Sequence, residues 1–296
     1  MSATLAGEPR RVKGSKALRG RVLLAPVGAP RASTLKGGLD VAPREESSFI
    51  DLGDSARVAL MLTPKGRGGF GEQTREVFAA ARSVLERQTQ PMTMTAQTIF
   101  LRDRSDRREC EAILAACFDG QPPVTNFVFQ APCSGAALVL EAWAIGGRSV
   151  RVEHYGPNTL AVSYDSVRWV YCAGIEPASG RVYGQSIAAL ERMRGELERA
   201  GSGFEHVVRT WFYLGGITQT DDGTQRYGEL NRARSDFYRD IQFCASLRCH
   251  DGPGQDTHAV YPASTGIGMC RAGLVASCMT LQTNRKDAFV VPLENP

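Results

Sequence analysis

The chain has 296 residues, of which 43% are hydrophobic and 22% charged, with a formal net charge of +4. That length exceeds one small core and suits two domains of ordinary size. No apolar run approaches the roughly 20 residues of a spanning helix and no secretion signal opens the chain, so no membrane crossing is expected and a cytoplasmic location follows.

Arg10, Arg11, Lys13, Lys16, Arg19 and Arg21 lie among Gly and Pro without periodicity, which predicts a solvated basic leader over residues 1–48. The first clear element follows at residues 72–87 (EQTREVFAAARSVLER). Val77, Phe78, Ala81, Val84 and Leu85 fall there on one face at helical spacing. A strand-like run, TAQTIFLRD, leads to a second amphipathic helix, RRECEAILAACF, with Cys110, Ile113, Leu114, Cys117 and Phe118 inward. A proline-marked turn, the run QPPVTNFVFQ and the strand AALVLEAWAI close the series.

The same order then recurs. QSIAALERMRGELERA gives a helix with Ile187, Leu190, Met193 and Leu197 inward and Gly201 as its stop. HVVRTWFYLGG gives a strand, and RYGELNRARSDFY a helix with Tyr227, Leu230, Ala233 and Phe237 inward; YPASTGIGM and GLVASCMTLQT supply the final strands. Gln73 and Gln185 stand 112 positions apart and Leu101 and Leu214 stand 113 apart, so helix and strand keep register between the copies. Pro123 and Pro262 are 139 apart, which places about 26 extra residues in polar loops of the second copy. ARVALMLTP precedes the first helix of copy one, and NTLAVSYD and VRWVYCAGIEP precede that of copy two. The expected fold class is α+β: a first domain over 49–147 and a second, with inserted loops, over 148–296, each a mixed sheet covered on one face by two helices.

Eight cysteines without a C-x-x-C pair suit thiols rather than bridges, and Cys110, Cys117, Cys172 and Cys278 sit in apolar patterns as small buried residues. His154, His206, His250 and His258 are scattered, so neither a metal nor a cofactor is expected. YPASTGIGM is not a phosphate loop, lacking GKS/T and a following helix, nor a nucleophile turn, lacking G-x-S-x-G. It is expected to be a strand whose hydroxyls, Ser264 and Thr265, face a cleft.

Both copies resemble the Rid (YjgF, endoribonuclease L-PSP) family, through the strand that contains PPVTN or YPAST and the hydrophobic strand after it. The second copy is further similar to the amino-terminal domain of chorismatases, through VVRTWFYLGGI, RYGELNRARSDFY, YPASTGIG and the terminal PLENP. The resemblance implies chorismate-mutase-like domains that associate in threes with clefts between units. Partners would then be a small carboxylated metabolite and either further copies of the chain or a third unit completing a ring. It also implies, for Rid imine deaminases, an arginine opening that strand and a glutamate on the next. The matching positions here hold Thr125 and Ser264, and Val139 and Ala276, so imine deamination is not expected. Glu141, two places beyond Val139, is read as a structural carboxylate. Chorismatases, by the same resemblance, carry their catalytic residues in a following domain, so no catalytic residue is assigned within this chain.

Strand alternation places Arg209, Trp211 and Tyr213 on one face. One reading is an interface face, with Arg209 bridged to a carboxylate such as Glu229. The other is an anion pocket in which Arg209 and Arg234 supply charge, Tyr213, Tyr261, Ser264 and Thr265 surround the ligand, and Asn231 orients it. The function expected is thus a chorismatase-like protein binding or hydrolysing a small carboxylated metabolite, this segment supplying scaffold and one cleft wall. The alternative is a non-enzymatic assembly or RNA- or metabolite-binding module. Nucleic acid is the weaker partner, because no RNP-like pattern and no histidine pair for RNA cleavage accompany the arginine-rich helix.

Overall fold

The computed structural model describes residues 44–51, 55–65, 68–244, 248–249, 261–286 and 288–290. Most of the expected leader lies outside these residues, as do His250, His258 and the PLENP run.

The first repeat contains β1 (Arg44–Asp51), β2 (Ser55–Thr63), α1 (Phe70–Glu86), β3 (Met92–Leu101), α2 (Arg107–Cys117), β4 (Val124–Phe129) and β5 (Leu138–Gly147). Its sheet runs β1-β2-β5-β3-β4, with β3 and β4 parallel and the other neighbours antiparallel. The parallel pair requires a crossover, which α2 supplies. Helix α1 starts where the Glu72 carboxylate accepts the Gly69 N–H at 2.8 Å. Its expected inner face is confirmed: Val77, Phe78, Ala81 and Val84 are buried against Leu60, Leu62, Leu138 and Leu140 in one core.

The second repeat contains β6 (Arg151–His154), β7 (Thr159–Tyr164), β8 (Val167–Ile175), α3 (Val182–Arg199), β9 (Val207–Gly215), β10 (Thr220–Asp221), β11 (Thr224–Gln225), α4 (Arg226–Tyr238), β12 (Arg248–Cys249), β13 (Ala263–Met269), β14 (Leu274–Thr283) and β15 (Phe289–Val290). Its sheet runs β13-β9-β14-β8-β7-β6. Matched element by element, β7-β8-β14-β9-β13 repeats the order β1-β2-β5-β3-β4, again with a parallel β9–β13 pair joined through a helix. β6 adds one edge strand, β10 and β11 form a small hairpin in the inserted loop, and β12 pairs with β15. The core under α3 and α4 holds Leu190, Met193, Leu197, Phe212, Leu214 and Leu230. Tyr227, expected inward, is instead 37% exposed, with its ring edge over Gly266 of β13. Among the described residues no helix is long and apolar enough to cross a membrane.

Each sheet turns its helix-free face to the other repeat. Val124 and Ile145 of the first pack with Leu160, Val162, Tyr171 and Ala173 of the second, and Val128 packs with Tyr213, Met269 and Val275. Trp143 meets Trp211 edge to face at 6.5 Å. Asn126 of β4 ties this layer together. Its side-chain amide donates to Ser277 Oγ at 3.1 Å and to Thr98 Oγ1 at 3.3 Å, and its Oδ1 accepts the Gly174 N–H at 2.8 Å. The close approach needs a glycine: Gly174 has φ +70°, and a Cβ there would lie 2.5 Å from the Thr125 carbonyl oxygen.

Asn126→Ala leaves a buried N–H and two hydroxyls short of partners, and should lower stability by about 2–4 kcal/mol. Chemical denaturation checks this, with Asn284→Ala, at an exposed position, expected within about 0.5 kcal/mol of the parent.

Candidate functional site

The helix-free faces enclose a cavity of about 60 Å³, lined by Asn126, Glu141 and Trp143 of the first repeat and Trp211, Tyr213 and Ser277 of the second. That volume holds a few waters rather than a metabolite. Glu141 enters because β5 alternates: Leu138, Leu140, Ala142 and Ala144 face the helices, which turns Val139, Glu141 and Trp143 the other way. It stands in register with Met61 of β2 and Thr98 of β3.

No ion pair among the described residues includes Glu141. Burial raises its pKa above the ordinary carboxylate value, and a hydrogen bond with Trp143 opposes that only in part. Burial also raises the Tyr213 phenol; a hydrogen bond with Thr98 works against this, and the Glu141 charge adds to it. The cavity therefore disfavours the ionised form of Glu141 relative to its state in water. The expectation of a paired structural carboxylate is not met at Glu141 among the described residues, where no cation pairs with it.

The residues read from sequence as one anion pocket divide between the two faces of the second sheet. β9 and β13 are parallel and in register, Ser264 beside Thr210 and Thr265 beside Trp211, so adjacent residues point to opposite faces. The expectation that Ser264 and Thr265 face one cleft is thereby corrected. Arg209, Tyr213 and Thr265 lie on the face toward the first repeat. There Arg209 Nη2 donates to Thr265 Oγ1 at 2.7 Å and its guanidinium lies 5.2 Å from the Trp211 ring centroid. It does not bridge to Glu229, which pairs with Arg232 at 2.7 Å.

Ser264, Asn231, Arg234 and Tyr261 belong to the helix side. Arg234 Nη1 donates to Ser264 Oγ at 2.8 Å, and Thr210 Oγ1 donates to the same oxygen at 3.0 Å. The guanidinium lies 6.0 Å from the Tyr238 ring, on which Tyr261, itself 62% exposed, stacks at 6.5 Å. Burial pushes the Tyr238 phenol up to about 12, and the nearby Arg234 charge opposes this only in part. Asn231 stands one turn before Arg234, and its buried Oδ1 has no hydrogen-bond partner among the described residues. No ion pair among the described residues includes Arg234. Among those residues no group of three His, Cys, Asp or Glu side chains is placed to hold a metal.

The strand orders given above define a duplicated α+β protein. No family model matches the chain, and neither does any curated protein. Solved structures do match, as likenesses of fold. A member of the YjgF/YER057c/UK114 family from Mycobacterium tuberculosis is 18% identical, over 40% of this chain and 82% of its own, with a TM-score of 0.28. The YjgF gene product of E. coli is 14% identical, over 42% and 86%, with a TM-score of 0.29. A chorismatase is 13% identical over 83% of this chain, with a TM-score of 0.42; the match spans 56% of the chorismatase. These are partial likenesses at low identity.

A carboxyl with a raised pKa in the folded state stabilises the fold fully below its unfolded value, and that contribution is lost as pH rises through the folded value. Glu141→Gln should therefore be more stable than the parent at pH 8. It should also lack the parent's decline in stability as pH rises above the ordinary carboxylate value, measured by denaturation across pH.

Proposed function

We propose that the chain binds a small carboxylated metabolite on the helix side of β13, with the two repeats as scaffold and one wall of the cleft. The observation that carries this is Arg234: a partly buried guanidinium held by the Ser264 hydroxyl, which also accepts from Thr210, with no acidic partner among the described residues. A planar guanidinium of this kind suits a carboxylate through two parallel hydrogen bonds. The lone Asn231 Oδ1, one turn away, suits a ligand that also donates a hydrogen bond, such as a hydroxy acid. Chorismate, with two carboxylates and a hydroxyl, and simpler hydroxy or keto acids fall in this class. Arg209 supports the interface between repeats instead. Binding is the function proposed; neither Thr125 nor Ser264, nor Val139 nor Ala276, supplies the guanidinium or carboxylate of imine chemistry.

A second reading, a module that self-associates or accepts a third unit, rests on the outer strand pair. Phe49, Ile50 and Met61 of β1 and β2 are 50%, 46% and 45% exposed.

Isothermal titration of the full chain with chorismate and with a simple 2-hydroxy acid tests the first reading. Saturable binding is expected, weakened at least about tenfold by Arg234→Gln, as fits the loss of charge-assisted hydrogen bonds, and nearly unchanged by Arg209→Gln. Absence of binding at millimolar ligand, or equal affinity in the Arg234 variant, overturns it. Sedimentation of the same samples reads association independently of ligand.

A further inference from the structure

A larger cavity, about 540 Å³, opens in the first repeat where α1 and α2 meet the start of β3. Phe78, Met92, Met94, Cys117 and Phe118 supply its apolar wall, and Arg82 and Glu86 stand among its polar residues. The volume lies in the range of small-molecule sites.

The duplication shows what belongs there. Aligning α2 with α4 by their buried positions, Cys110 with Leu230 and Ile113 with Ala233, sets Cys117 and Phe118 opposite Phe237 and Tyr238. In the second repeat the connection from α3 to β9 sends Phe204 onto those two rings, at 5.0 Å from Phe237 and 6.0 Å from Tyr238, and Phe243 joins at 6.3 Å. In the first repeat the shorter connection from α1 to β3, residues 87–91, carries Pro91 and no aromatic residue, and Cys117 stands where the second repeat has a phenylalanine. One repeat therefore fills with its own rings a space that the other leaves open.

We infer that the cavity of the first repeat binds a free, uncharged aromatic compound of phenol or indole size, whose ring takes the place that Phe204 holds in the second. Three observations on the wall favour a ring. Phe78 and Phe118 already stand edge to face at 6.2 Å. Met92 and Met94 bring two thioethers, which make favourable contacts with aromatic edges. Arg82 and Glu86 offer one charge of each sign, which favours neither an anion nor a cation. Arg82 is moreover engaged, donating to the Cys117 carbonyl at 3.2 Å.

The test is titration of phenol, and separately indole, into the full chain carrying methyl-labelled methionine. Saturable shifts confined to the Met92 and Met94 methyl signals are expected, and Cys117→Phe, which fills the cavity, should raise the dissociation constant at least tenfold. In the parent, saturating probe should slow alkylation of Cys117 at least fivefold and leave the exposed Cys133 and Cys270 unaffected. This second readout decides the matter should the Cys117 variant not fold. Shifts that do not saturate or that spread to Met61 and Met193, or an unchanged alkylation rate at Cys117, would overturn the inference.

Discussion

The arrangement depends on one buried amide. Asn126 spends both ends of its side chain on the contact between repeats, donating to a hydroxyl of each sheet and accepting the N–H of Gly174. Two sheets that meet through their helix-free faces must bury their central polar groups with partners, since an unpaired group there costs more than a hydrogen bond returns. Gly174 lets the backbones approach closely enough for that bond, and the tryptophan pair and the Val128–Tyr213 cluster close the layer around it.

Duplication followed by divergence accounts for the sites. The strand orders coincide, so each repeat offers the same positions to chemistry, and the side chains at those positions differ. At the start of the parallel edge strand the first repeat has Thr125, hydrogen-bonded to Gln97, where the second has Ser264, which receives Arg234. Between the paired helices the second repeat carries an aromatic cluster and the first an open cavity. Between the sheets, the carboxyl of Glu141 is held in a space too small for a metabolite, where burial raises its pKa.

Much of the fold was legible in the sequence because it rests on periodicity. The helical spacing of Val77, Phe78, Ala81 and Val84 and the matched positions of Leu101 and Leu214 identify elements and register without any long-range information. β1 escaped because residues 45–50 are all exposed, so neither face imposes an alternating pattern. Asn126 escaped because one asparagine in an apolar run gives no sign that its partners come from residues 48 and 151 positions away. The candidate pocket was legible in residue type and not in placement. Ser264 and Thr265 are neighbours in a strand, and alternation already forbade them a common face. That constraint separates Arg209 from Arg234 and leaves the latter beside Asn231 and Tyr261.

The central claim is that the two repeats form one cooperative body through the Asn126 contact. Native-state hydrogen exchange at the Gly174 amide tests it most directly, because that N–H belongs to the second repeat and its acceptor to the first. The account predicts exchange only through global unfolding, with an opening free energy equal to that of the whole chain. Exchange of this amide through a smaller opening, with the rest of β8 still protected, would contradict it.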